Sequence, residues 1–323
     1  MNKRLVAILL PLTAALSLPA PVAATPPPGA VPSYCVRTVA GYRCTIGPFD
    51  VGAGETVEMM TGVAAPSEAG YMTSAHAKLV DGSGRALEHH LVHMHHAVWL
   101  NPYEEDMTCD SYDGGAFPGY ERFFATGNEL TKVDLPTGYG YFWDPQVSQS
   151  YTQSAPWWGF TVHLDGMHGA SEAYIQLDMG FVAETEAKAM RNIEPAWFDV
   201  RNCSSEPVYD VAKGSGRNGV HREHWTYKMR SSGRFVFLAG HLHDGGLRTS
   251  LKNLTTGRHI YTSTATYASA DDRRHLTKMS SWSGLPGIAV SEGDKLRLTA
   301  VYDSTQSIEG AMGIMVGAFV PRR

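Results

Sequence analysis

Histidine is the residue type that could carry chemistry in this chain: there are 14 in 323 residues, and five of them, His89, His90, His93, His95 and His96, crowd one short stretch. Neutral imidazole is the commonest protein ligand for transition metals, so such crowding points first to a metal. A second group lies in Phe235-Val236-Phe237-Leu238-Ala239-Gly240-His241-Leu242-His243-Asp244-Gly245-Gly246, where an apolar run reads as a buried strand. Side chains alternate across a strand, so His241 and His243 share a face and make half a metal site, at the rim where Asp-Gly-Gly ends the run. In Leu91-Val92-His93-Met94-His95-His96-Ala97-Val98-Trp99-Leu100 regular alternation groups His93 with His95 and sends His96 to the other face. For His95 and His96 to share one ion, the strand must twist or bulge. His163, in the aromatic strand pattern Trp157-Trp158-Gly159-Phe160-Thr161-Val162-His163-Leu164, reads on its pattern alone as a hydrogen-bonded core histidine. His89, His90 and His168 read as loop residues. Met312 and Met315, in Ala311 to Phe319, read as strand-core methionines facing opposite sides.

The elements that must position these residues are strands. Short runs such as Thr56 to Met60, Ala77 to Val80, Phe235 to Leu238 and Leu296 to Tyr302 alternate with turn signals such as Asp81-Gly82-Ser83-Gly84 and Glu292-Gly293-Asp294. Only about Glu184 to Arg191 has helix-forming character, and Glu194-Pro195 follows it. The pattern predicts an all-β chain of two consecutive antiparallel β-sandwich (jelly-roll-like) domains, residues 31–190 and 191–323. Length supports two cores rather than one.

At the amino terminus Lys3-Arg4, the apolar run Leu5 to Leu18 and the small residues Val22-Ala23-Ala24 have the layout of a secretory signal peptide, residues 1–24, with a Pro-rich lead-in over 25–30. A secreted, periplasmic or extracellular protein is expected, and an oxidising destination suits the four cysteines. Cys35 and Cys44 flank Ala40-Gly41-Tyr42, a strand–turn–strand that could bring them together, which leaves Cys109 for Cys203. No later stretch has the ~18 apolar residues of a spanning helix, so no transmembrane anchor is expected. Formal charge is −5, with no dense Lys/Arg cluster, which argues against nucleic acid. Neither a G-x-S-x-G elbow nor a Walker loop occurs. A monomer is the default.

The order of these elements, a tandem histidine, a later histidine on an aromatic strand, His-x-His and then a methionine, resembles the copper type II, ascorbate-dependent monooxygenases related to peptidylglycine alpha-hydroxylating monooxygenase and dopamine beta-monooxygenase. The chain also resembles stress-upregulated nodulin-like proteins through His95-His96-Ala97-Val98-Trp99, Glu121-Arg122-Phe123-Phe124-Ala125-Thr126-Gly127, Gly138-Tyr139-Gly140-Tyr141 and Gly240 to Gly246. The resemblance implies two copper ions, one held by His95, His96 and His163 and one by His241, His243 and Met312. The second trio would be the catalytic, dioxygen-activating site, and the first would store an electron from ascorbate. His93 and Met315 are the competing ligands. The substrate would lie in the cleft between the domains, with the Tyr103 to Gly119 segment as its rim; Glu104, Glu105 and Asp106 in that segment read as a solvated acidic loop. The peptide-amidating enzyme's carboxylate-binding arginine corresponds to Ala239 here, and its tyrosine and asparagine to Val316 and Ile314. A small neutral or apolar organic substrate is therefore expected, with O2 as co-substrate. Two other functions compete: a non-catalytic copper protein that buffers or delivers the metal, and a zinc hydrolase with Asp165 or Asp244 as general base.

Overall fold

The computed structural model describes residues 31–112, 117–152, 155–269 and 272–322; the expected signal peptide and lead-in lie outside them. The fold is almost entirely antiparallel strand, as the alternating runs predict. Two sheets build the N-terminal part. One has the order Ser33–Arg37, Gly41–Val51, Ala170–Ala183, Gly70–Val80, Tyr139–Trp143 and Arg191–Asn192, with Lys132–Asp134 beside Gly70–Val80. The other has the order Thr56–Ala64, Trp157–Gly166, Val92–Glu105 and Tyr120–Gly127. Alternate residues of these strands fill the space between, including the fully buried Trp99, Trp158, Phe160, Leu164, Ile175 and Leu177.

The C-terminal part repeats the plan. Glu194–Asp199, Ile308–Pro321, Gly233–Leu242 and Ser281–Val290 form one sheet, with Val208–Val211 paired to Ile308–Pro321. Val220–Lys228, Lys295–Asp303, Gly246–Asn253, His259–Ser269 and Asp272–Met279 form the other. Arg191–Asn192 still pairs with Tyr139–Trp143 of the first part, and Glu194–Asp199 opens the second. The Glu184 to Arg191 stretch gives only a 3-10 turn, Glu184–Glu186, and the α-helix is Pro145–Thr152 instead. Helix propensity is a weak prior, and the paired strand at Arg191 takes the backbone away.

Strand Gly233–Leu242 explains how the two halves are held in register. It is buried along nearly its whole length because both of its faces are covered. Phe235 and Leu238 belong to the C-terminal core, whereas Val236, Phe237 and Ala239 pack against the N-terminal one. A disulfide, Cys109–Cys203, ties the two halves across 94 residues, and Cys35–Cys44 closes the first hairpin, where the two cysteines are directly opposed. Among the described residues no helix is long and apolar enough to cross a membrane.

Candidate metal centre

The four-stranded sheet presents its outer face to the C-terminal half, and the histidines lie on that face because of one irregularity. Across the pair Trp157–Gly166 and Val92–Glu105, His163 is opposite His96 but Leu164 is opposite Met94, which leaves His95 as the extra residue of a β-bulge. The conflict between His95 and His96 in the sequence is resolved in this way. His93 opposes Asp165, two residues from His163, so His93, His96, His163 and Asp165 share one face and the bulge turns His95 onto it. The His95 ring stacks 4.6 Å from His93 and 4.4 Å from His163.

Asp165 joins this set. Its carboxylate lies 2.6 Å from His95 Nε2 and 3.3 Å from His163 Nε2, so the three residues bring their ligand atoms within 4.8 Å of one another. Burial would raise the carboxyl pKa, but the hydrogen bond from Thr56 and the neighbouring His95 and His163 hold it below its usual value. The other compact cysteine and acid group among the described residues, Cys109, Asp199 and Cys203, contains a disulfide and offers no thiolate. His96 stands at the edge of the set. Its ring is 5.5 Å from His163, and its buried Nδ1 has no hydrogen-bond partner.

The His-x-His pair arrives from the C-terminal half. His241 and His243 lie with ring centroids 5.2 Å apart and planes at 90°, and His243 is 5.0 Å from His95. The two trios expected from the sequence therefore meet in one continuous cluster rather than standing apart. Each imidazole of the pair is held by Nδ1: that of His241 is 3.0 Å from Glu129 Oε2, and that of His243 is 2.6 Å from the Gly310 carbonyl. Both Nε2 atoms are buried without a partner. With Nδ1–H donated to an oxygen, Nε2 keeps its lone pair, which is the tautomer a metal requires. Burial pushes His243 well below the usual histidine range and His96 to about 3, so both are neutral at neutral pH. Glu129 is buried, which would raise it, but His241 and the Thr131 hydroxyl outweigh burial and hold it ionised.

Met312 lies on the neighbouring strand, Ile308–Pro321. His241 opposes Ile314 and Leu242 opposes Gly313, so Met312 lies on the His241 side of the sheet, whereas Met315 is fully buried in the C-terminal core. The buried Tyr302 hydroxyl accepts from the His243 and Met312 backbone N–H groups at 2.9 and 3.1 Å and donates to the Met312 carbonyl at 2.6 Å. It fixes these two residues together. Met312 packs with Val98, Trp197 and Ile314 and lines the same cavity as His241; a thioether with two imidazoles would be a donor set suited to Cu(I) and seldom used by zinc.

Several neighbours escaped the sequence reading. His89, expected in a loop, is half-buried between His93 and His275, at 4.4 and 4.0 Å. His90 and His168 are exposed, as expected of loop residues. Glu129 carries no motif and is 112 residues from His241, so no local signal could have found it. Asp106 is a correction: far from solvated, it is 1% exposed and accepts from Arg122 Nε at 2.9 Å.

The cluster opens on a cavity between the halves with about 790 Å³ of empty space, counting the part open to solvent. His96, His241 and Met312 line one end, and Val98, Trp197 and Ile314 give it an apolar wall.

Comparison with known proteins agrees with this second half in particular. Residues 177–319, which include His241, His243 and Met312, match the domain described as Stress up-regulated Nod 19. Over these residues the chain is similar to the stress up-regulated Nod 19 family. Among curated proteins, the chain is 27% identical over 251 residues to the "Probable copper-dependent oxygenase clz3" of Cochliobolus lunatus, covering 70% of this chain and 72% of that protein. It is 26% identical over 243 residues to the "Probable copper-dependent oxygenase M1" of Phoma sp. (strain ATCC 20986 / MF5453), covering 70% of this chain but only 57% of that one. Among solved structures, the VP2 subviral particle of infectious bursal disease virus aligns over 94% of this chain and 74% of its own at 10% identity, with a TM-score of 0.23, too low to show a shared fold.

Proposed function

We propose that this protein is a secreted, copper-dependent monooxygenase that hydroxylates a C–H bond of a small, neutral or apolar organic molecule. The observation that carries the reading is the pair of buried, unpartnered Nε2 atoms of His241 and His243, with Met312 on the same face of the sheet. The names of the two curated relatives support copper and oxygenation. Copper held by His241, His243 and Met312 would supply dioxygen activation, and copper at His95, His96 and His163 would supply electron storage. In the overall reaction R–H and O2, with two electrons and two protons from a reductant such as ascorbate, give R–OH and water. The chain's own part is to orient the imidazoles through the Nδ1 contacts with Glu129 and Gly310, which leave Nε2 free for the metal, and to fix His243 against Met312 through Tyr302.

Copper analysis of wild type, Met312→Ala and His163→Ala tests the reading. About two coppers are expected in wild type, falling towards one in each variant, and an unchanged content in both variants would reject it. Ascorbate-dependent oxygen uptake should couple to a hydroxylated product; peroxide release without product would favour a copper-buffering protein. Asp165 favours one other reading, a zinc hydrolase at His95 and His163, because a carboxylate is a hard ligand or base. Zinc as the metal of the native protein would support that reading instead.

A further inference from the structure

The far end of the cavity carries polar groups that the proposed chemistry does not use. Arg122 and Trp197 line it, and each has a buried side-chain atom without a hydrogen-bond partner: Arg122 Nη2 and Trp197 Nε1. An unsatisfied buried donor costs about 1–3 kcal/mol, so two side by side on one cavity wall point to something that binds there. Arg122 reaches the cavity through a second irregularity. Along strand Tyr120–Gly127, Phe124 opposes Trp99 but Arg122 opposes Leu100, so Phe123 is skipped and Arg122 shares the cavity face with Ala125. The guanidinium lies over the Trp197 ring at 4.4 Å and the Tyr112 ring at 4.7 Å, which fixes its plane. Its charge is offset by Asp106, which accepts from Nε at 2.9 Å and is itself almost wholly buried.

We infer that Arg122 and Trp197 form an acceptor-binding subsite, and that the substrate is an elongated apolar molecule bearing a neutral oxygen acceptor, a ketone, ester or similar carbonyl, at the end remote from the histidines. The acceptor is neutral because the Arg122 charge already has its counter-ion, and a carboxylate would add a second buried anion beside Asp106. Val316, opposite Trp197, is four residues along the strand from Met312. At 3.3 Å per residue the carbonyl and the reacting carbon are therefore separated by roughly 13 Å or somewhat less. This rests on the proposed oxygenase reading only for the identity of the reacting end; the subsite itself is a property of the cavity.

Binding of three matched probes to the metal-free, full-length protein tests it by calorimetry: benzylacetone, butylbenzene and 4-phenylbutyrate. Benzylacetone is expected to bind at least about tenfold tighter than either of the others. Trp197→Phe keeps the ring and removes the N–H, and Arg122→Met removes the guanidinium; each should erase most of the preference for the ketone over the hydrocarbon. Should Arg122→Met fail to fold because Asp106 is left unpaired, Trp197→Phe alone decides. Equal affinity for ketone and hydrocarbon in wild type, a preference that survives Trp197→Phe, or tighter binding of the carboxylate would overturn the inference. Wild-type protein that binds copper but shows no ketone preference would sink the subsite alone, whereas wild-type protein that binds no copper but keeps the preference would sink only the oxygenase reading.

Discussion

At the scale of the residue, the centre depends on which nitrogen of each imidazole is committed. Glu129 commits His241 Nδ1, so Glu129→Gln is expected to weaken metal binding at the His241 and His243 pair by about 10–100-fold, because an amide no longer enforces the tautomer. A competition titration with a Cu(I) chelator measures this, and an unchanged affinity would mean that the carboxylate does not orient the ring. The His241-x-His243 spacing was legible because alternation is a local rule. Glu129 was not, since a carboxylate that finds its partner 112 residues away leaves no periodic trace. Asp165 was visible only as a base, and its contact with both His95 and His163 depends on the pairing of two strands.

At the scale of the element, two irregularities in one sheet aim the chemistry. The bulge at His95 was legible, because tandem histidines cannot otherwise serve one face. The skipped Phe123 was not, because nothing in Glu121 to Gly127 breaks a regular strand reading. Gly127 shows how close these strands come to the incoming histidine. A Cβ there would lie 2.5 Å from the His95 carbonyl, 2.7 Å from His241 Cε1 and 2.9 Å from Glu129 Oε2. Gly127→Ala is therefore expected to displace His241 and lower the copper content by about one ion, with the circular dichroism of the sheets retained. Full copper in this variant would show that the histidine can relocate.

At the scale of the whole molecule, one apolar strand shared between two cores and one long-range disulfide bring the C-terminal histidines onto the N-terminal sheet. The two-sandwich reading followed from strand spacing, but the merging of the two histidine groups required this docking and has no sequence signature. Burying so many imidazoles has a thermodynamic consequence. His93 and His96 are pushed down to about 3 and His89 to about 4, chiefly by burial, and His95 and His243 are lowered as well. In the unfolded chain these groups titrate near about 6.5. Unfolding thus takes up protons below that value, so the stability of the metal-free protein should be full above about pH 6.5 and decline steadily towards about pH 3. Urea denaturation at stepped pH reads this directly, and a midpoint that stays level from pH 7 to pH 4 would contradict the burial of the cluster.

The central claim is that sulfur and paired imidazoles from the C-terminal half hold copper at the mouth of the cavity. X-ray absorption of the Cu(I)-loaded protein tests it most directly. A sulfur scatterer should appear beside the imidazole shells in wild type and vanish in Met312→Ala while persisting in Met315→Ala. A spectrum of nitrogen and oxygen alone in wild type, or a sulfur signal indifferent to Met312→Ala, would contradict it.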